Sequence, residues 1–381
     1  EKVAGKYQIS VLVGGDTKVT SEQFLSLLSV DGIDSNDTFM FASTATLEST
    51  INFDANTGLF TSILTGAGNP TEFANFKIYD LSNLGSVSAI GFTSSAAATF
   101  SLIDGANNKF SVSGIEFYGF NNVNSTSGLF NTITGSDQAD SFSGISGNSL
   151  TANGIAFNDI TTVNAGTGAS DDADDIEQTQ TAWAIQAANN EITVGSIDFT
   201  GIDTINKDNS AGITDRSLAG TAGDDSFVSA GINAVSANGI TYYGIGSVNA
   251  GGQGVIGDDV QSDLTSWIIE AAANATTVGD ITFTDVESIN KNNSVGITNR
   301  SLTGTVGDDT FVSAGTNAVN ANGITYYGIG TVDALGGGVS GDQLESNNSV
   351  DESFLLRANN EIFGNDITFS NVEKMLGEAG D

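Results

Sequence analysis

Neither cysteine nor histidine occurs anywhere in this 381-residue chain. Without cysteine there is no disulfide framework and no thiolate metal site. Without histidine there is no Ser-His-Asp or Cys-His catalysis, no imidazole-bound zinc and no side chain that titrates unperturbed near neutrality. Basic residues are scarce: 11 Lys and Arg stand against 46 Asp and Glu, a formal net charge of -35 that repels phosphate backbones and anionic bilayers. Nucleic acid is therefore not an expected partner. Proline occurs once, at Pro70, and no apolar run approaches 18 residues, so no membrane insertion is expected in this segment. The opening EKVAGKYQIS has neither a signal-peptide apolar region nor an initiator Met, and is read as the start of an excised or processed piece.

What is present is glycine, 47 residues of it, with many β-branched residues and 39% hydrophobic content, enough for a core of short strands joined by glycine turns. GITYYGIG stands at 239–246 and again at 323–330, 84 positions later. Around it, NKDNSAGITDRSLAGTAGDDSF from Asn206 returns as NKNNSVGITNRSLTGTVGDDTF from Asn290. A shorter period lies inside the long one. The Ile-x-aromatic element recurs at Ile115/Phe117, Ile155/Phe157, Ile197/Phe199, Ile240/Tyr242, Ile281/Phe283, Ile324/Tyr326 and Ile367/Phe369, with steps of 40, 42, 43, 41, 43 and 43 residues.

In a strand, positions i and i+2 share a face, so Ile240 and Tyr242 are expected inside and Thr241 and Tyr243 outside. One such strand cannot bury its face alone, but copies stacked in parallel can. The expected fold class is therefore all-β, a parallel β-helix (β-solenoid) of ~42-residue units, with an N-terminal capping segment containing a short helix. On this reading Tyr242, Tyr326, Phe199, Phe283 and Phe369 form one aromatic column. Asn233, Asn249, Asn290 and Asn317 recur at corners, where they tolerate a left-handed backbone and are expected to bond their own copies above and below. The expected organisation is a cap over 1–38 with an amphipathic helix from Thr20, degenerate units over 39–97, regular repeats over 98–376 and a tail over 377–381. Verbatim recurrence at 84 residues implies that two kinds of unit alternate.

LAGTAGDDSF, LTGTVGDDTF, SANGITYYGIGSVNAG and TAWAIQAANNEITVGSIDFTGID resemble repeats of very large bacterial exoproteins of the filamentous-haemagglutinin-like, two-partner-secreted adhesin type, over roughly residues 98–376. The resemblance implies a right-handed parallel β-helix, secreted to the surface of a Gram-negative bacterium. It also implies a structural or adhesive role, supporting attachment or biofilm-matrix interactions, with extracellular polysaccharide or a host or neighbouring cell surface as partner. No secretion-domain motif of that family is recognisable in this chain.

The chemistry left to such a chain is that of carboxylates. Asp171, Asp172, Asp174 and Asp175 in SDDADDIE, and the pairs Asp224/Asp225, Asp258/Asp259 and Asp308/Asp309, are hard oxygen donors of the type calcium takes, and Ca2+ is the candidate cofactor. With one coil per unit, equivalent GDD loops would lie ~10 Å apart. Tyr118, Tyr243 and Tyr327 are candidate ligand-binding residues, with rings able to stack on sugars. No enzyme is expected: the regular basic residues Lys207, Arg216, Lys291 and Arg300 are duplicated with the repeat, which points to loop structure and not to one active centre. The alternatives are a carbohydrate-binding or carbohydrate-active β-helix protein, or an ice-binding solenoid using Thr241, Thr282, Thr325 and Thr368 as an outward column.

Overall fold

In the computed structural model, residues 97–377 are described apart from 104–107, 126–129, 167–173, 209–211, 252–256, 293–296, 337–338, 348–352 and 358–359. Between residues 2 and 93 the structure describes separate strand segments by their backbone, with side chains at Phe53, Asp54 and 78–80. The helix expected from Thr20 lies outside the described residues. Every described element is a strand. The chain forms two compact units, Glu1–Gln178 with Glu191–Asp203, and Thr179–Asn190 with Thr204–Asp381.

The second unit shows how the repeat is built. One copy comprises β1 (Arg216–Ala219), β2 (Ser226–Gly231), β3 (Ala234–Ala237), β4 (Ile240–Tyr243), β5 (Ile245–Asn249), β6 (Asp259–Gln261), β7 (Ser266–Ile269), β8 (Ala275–Val278), β9 (Ile281–Thr284) and β10 (Ser288–Ile289). The next comprises β11 (Arg300–Thr303), β12 (Thr310–Gly315), β13 (Ala318–Ala321), β14 (Ile324–Tyr327), β15 (Ile329–Asp333), β16 (Gln343–Glu345), β17 (Leu355–Leu356), β18 (Glu361–Gly364), β19 (Ile367–Ser370) and β20 (Lys374–Leu376).

One sheet runs β4-β3-β2-β6-β10-β14-β13-β12-β16-β20; the other runs β1-β5-β9-β8-β7-β11-β15-β19-β18-β17. Successive coils pair in parallel, with Phe227 opposite Val260, Val260 opposite Ile289 and Ile289 opposite Tyr326. The chain is therefore a β-solenoid. Into each ~42-residue unit an antiparallel meander is folded, β2-β3-β4 on the first sheet and β7-β8-β9 on the second. Asn-Gly turns permit these tight reversals: Asn238 and Gly239 both adopt the left-handed backbone, φ 48° and 84°, that a two-residue hairpin requires.

The alternation of the meander between sheets explains the 84-residue identity, because only every second unit returns to the same sheet. It also corrects three expectations. Tyr242 and Tyr326 are buried with Thr241, Tyr243, Thr325 and Tyr327 more exposed, as expected, but Phe283 and Phe369 belong to the opposite sheet, so no single aromatic column forms. Rings instead meet across the core, Phe227 with Phe283 at 6.4 Å and Trp267 with Tyr326 at 6.2 Å. For the same reason Thr241 and Thr325 lie on one sheet and Thr282 and Thr368 on the other, and the expected threonine column is absent. Finally, five strand-to-strand steps on one sheet separate a GDD loop from its copy, a rise of ~24 Å and not ~10 Å.

The corner asparagines do have left-handed φ at Asn233, Asn290 and Asn317. They bond main chain, however, and not their own copies. The Asn233 and Asn317 amides donate to Ile245 O and Ile329 O at 3.0 and 2.9 Å, and Asn290 both accepts from and donates to the Ser262 backbone at 2.7 and 3.0 Å. Asn249 donates to Asp285.

The first unit follows the same plan. Ser141–Ser146, Ser149–Ala152 and Ile155–Asn158 form an antiparallel meander, and Asn131–Thr134, Ile160–Asn164 and Ile197–Thr200 stack in parallel. Its core is richer in phenylalanine, with Phe100, Phe110, Phe117, Phe120 and Phe157 at centroid separations of 5.1 to 6.3 Å.

Candidate functional site

The acidic residues are the most ordered polar feature, and they form ladders. In the first unit Asp140 donates its N–H to Asp174 Oδ1 at 2.8 Å, and Asp174 donates its N–H to Asp203 Oδ2 at 3.2 Å. In the second unit Asp225 N–H reaches Asp258 Oδ1 and Asp258 N–H reaches Glu287 Oε2, both at 2.7 Å. The next copy repeats this with Asp309, Asp342 and Glu373, again at 2.7 Å for both bonds. Each acid immediately precedes a strand, so the second and third carboxylates of a ladder each cap the backbone N–H at the start of the neighbouring coil's strand. The first rung also closes its own loop: Asp225 Oδ2 accepts Thr221 N–H and Asp309 Oδ2 accepts Thr305 N–H, both at 2.6 Å, while Asp140 Oδ2 accepts Ser136 N–H at 2.7 Å.

Burial makes four of these carboxyls, Asp140, Asp174, Asp258 and Asp342, reluctant to ionise. Asp174 is pushed up to about 7, chiefly by burial, which outweighs the N–H of Asp140, with the like charges of Asp140 and Asp203 adding. Asp258 is raised to about 6, again by burial first and then by Glu287, Asp225 and Asp224. Burial also raises Asp140 and Asp342. Asp258 and Asp342 have no exposed surface, and Oδ2 of Asp258 has no hydrogen-bond partner among the described residues.

Of the acids expected to take calcium, Asp171 and Asp172 lie outside the described residues. Asp174, Asp225 and Asp309 are ladder rungs, and Asp175 is buried beside Ser141. Asp224 and Asp308 are exposed and accept backbone N–H groups, Asp224 from Gly257 at 2.9 Å and Asp308 from Ser340 and Gly341 at 3.0 and 2.7 Å. Those two bonds hold the Asp308 carboxyl below its ordinary range. Among the described residues no group of three or more metal-ligating side chains is placed to hold an ion.

The candidate tyrosines do not converge. Tyr118 is half-buried, donates its hydroxyl to the Glu116 carboxylate and lies under the Lys109 ammonium at 4.9 Å. Tyr243 and Tyr327 are half-buried, and their carbonyls accept Nη1 of Arg216 and Arg300 at 3.1 and 3.4 Å. Both arginines are buried, at 2% and 1% exposure, and the Arg300 guanidinium also lies 5.3 Å from the Trp267 ring. The duplicated arginines are thus structural clamps.

Five rungs are not among the acids singled out from the sequence: Asp140, Asp203, Glu287, Asp342 and Glu373. A signal for them exists. In all nine rungs an acid stands two positions before an apolar residue of a short strand, as in Asp203/Ile205, Glu287/Ile289 and Asp342/Leu344. Compared with models of known protein families, with curated protein sequences and with solved structures, the chain matches none of them.

Proposed function

We propose that this chain is a structural, adhesive rod segment of a secreted or cell-surface bacterial adhesin, without catalytic activity, that supports attachment to polysaccharide or to a neighbouring surface. The observation that carries the reading is where the repeat is constant and where it varies. Inward residues, ladder acids and arginine clamps recur in copy after copy, while outward positions and the loops between strands change. A rod needs a stackable interior and a soluble, acidic exterior, and contacts spread along it gain strength by multivalency.

The test compares a monomeric fragment with a tetramerised one on a polysaccharide array and on cell surfaces. The expected result is weak capture of the monomer, ~10²-fold or greater gain for the tetramer, and partial loss in Tyr243→Ala or Tyr327→Ala. One tight monovalent site, or depolymerisation abolished by a single Asp→Asn change, would replace the rod with a lectin or an enzyme.

A further inference from the structure

The three meanders that lie beside a ladder are equivalent in sequence, with Phe142, Phe227 and Phe311 in register, yet their outer edges differ. In the first unit the hairpin tip is tied to the neighbouring turn: Ser196 N–H donates to Gly147 O at 3.1 Å, and the Gln178 amide donates to Ile145 O at 3.0 Å. In the last copy Asn317 N–H donates to Asn365 O at 2.9 Å, and the Asn365 amide donates to Ser313 Oγ at 2.7 Å. In the middle copy both bridging side chains are shortened. Ser262 stands where Gln178 does, and its hydroxyl accepts the Leu264 N–H instead of reaching across. Gly279 stands where Asn365 does and has no side chain to offer Ser229.

The result is an open cleft of about 340 Å³ at the edge of the solenoid. Its walls are apolar where the other copies are not. Ile232, 84% exposed, replaces Gly147 and Thr316, and Leu264, 43% exposed, replaces Gln180. Its rim carries two exposed carboxylates, Asp263 and Asp280, and among the described residues no lysine or arginine lines it. Burial disfavours the charged form of Arg300 and the nearby Asp263 offsets part of that, so Asp280 and the field of the acidic chain supply most of the attraction for a cation.

We propose that this cleft binds an aliphatic cation, the lysine side chain of an extended segment of a partner protein. A four-carbon stem matches the Ile232 and Leu264 walls, while the ammonium stays at the wet, acidic rim. Shape and charge agree, since a chain of net charge -35 attracts basic segments before any contact forms. This site goes beyond the rod reading and stands on the cleft alone, whatever the rod attaches to.

The experiment titrates a labelled Lys-Lys-Lys peptide, its fully Nε-acetylated form and a Gly-Ser-Gly peptide into the 381-residue chain at physiological salt. The chief variant is Ile232→Thr with Leu264→Gln, which installs residues that equivalent positions already hold and leaves the charge unchanged. The second is Asp280→Ser, as at Ser196. Circular dichroism verifies that each variant is folded, and Gly279→Asn supplies an independent closure of the cleft. The expected result is at least about tenfold weaker tri-lysine binding in each variant, and binding of the acetylated peptide no better than that of Gly-Ser-Gly. Equal binding by wild type and the apolar double variant would reduce the effect to diffuse attraction by the acidic surface. Equal binding of the acetylated peptide would remove the cation from the proposal.

Discussion

Raising the pH from mild acid to neutrality should destabilise this protein. Asp174 is faced by Asp140 and Asp203, Asp258 by Asp225, Asp224 and Glu287, and Asp342 by Glu373 and Asp309, so no middle rung has a cation among these neighbours. A carboxyl whose folded pKa lies above its unfolded value binds its proton more tightly in the fold. The stability it contributes is full below about pH 4 and is lost as the pH rises through about 6 for Asp258 and about 7 for Asp174. Each proton released on unfolding gives a slope of at most about 1.4 kcal/mol per pH unit, and water at the outer end of a ladder screens roughly half of it. Two such carboxyls lower the unfolding free energy by roughly 2–3 kcal/mol between about pH 4 and pH 6, a fall in Tm of roughly 5–10 °C. Asp308 acts in the opposite sense, losing stability as pH falls through its depressed pKa, but it is solvent-exposed. The assay is thermal melting by circular dichroism from pH 4 to 8 at fixed ionic strength. Asp258→Asn keeps an acceptor for Asp225 N–H and should flatten the profile, while the exposed Asp137→Asn should shift it without changing its slope. Replacing sodium by calcium at equal ionic strength should leave the curve where it was. A Tm that is flat or rises over this range, or an unaltered slope in Asp258→Asn, refutes the argument.

Two further outcomes are expected from chemical denaturation. Phe283→Ala should cost ~3–5 kcal/mol, since the ring is fully buried against Phe227, whereas Tyr243→Phe should stay within ~0.5 kcal/mol. Gly244→Ala should cost ~1–3 kcal/mol or more, because φ is +76° there and a Cβ would collide with Nη1 of Arg216; Gly328→Ala should match it against Arg300.

The inward-outward alternation was legible because it depends only on neighbours two apart: Ile240 and Tyr242 had to share a face whatever the coil did. The choice of sheet was not. A strand that continues the coil and one that folds back as a meander carry the same alternation, and the Asn-Gly turns that decide between them look like ordinary corners. The ladder acids were legible in type but not in grouping. Asp225, Asp258 and Glu287 become neighbours only after the coil length is known, and in an adjacent pair such as Asp258/Asp259 only the first member is a rung. The second accepts the Ser288 hydroxyl at 2.7 Å.

The octet GITYYGIG can now be read physically. Gly244 gives way to the Arg216 guanidinium and Gly246 to the Thr214 carbonyl; in the copy, Gly328 and Gly330 give way to Arg300 and Thr298. Immediately before Gly244 and Gly328 stand one buried and one half-buried tyrosine, the second of which lends its carbonyl to the arginine. Nearly every position is thus held by the interior, and such a segment cannot drift between copies. The hairpin tips meet no such constraint, because they only close the outer edge of a meander already anchored by Phe227 and Val235. Exchanging Gln for Ser and Asn for Gly at such an edge opens a cleft without disturbing a single stacked coil. Divergence confined to the tips is therefore how a repeat of this kind acquires one distinct site, and that is where this chain departs from its own pattern.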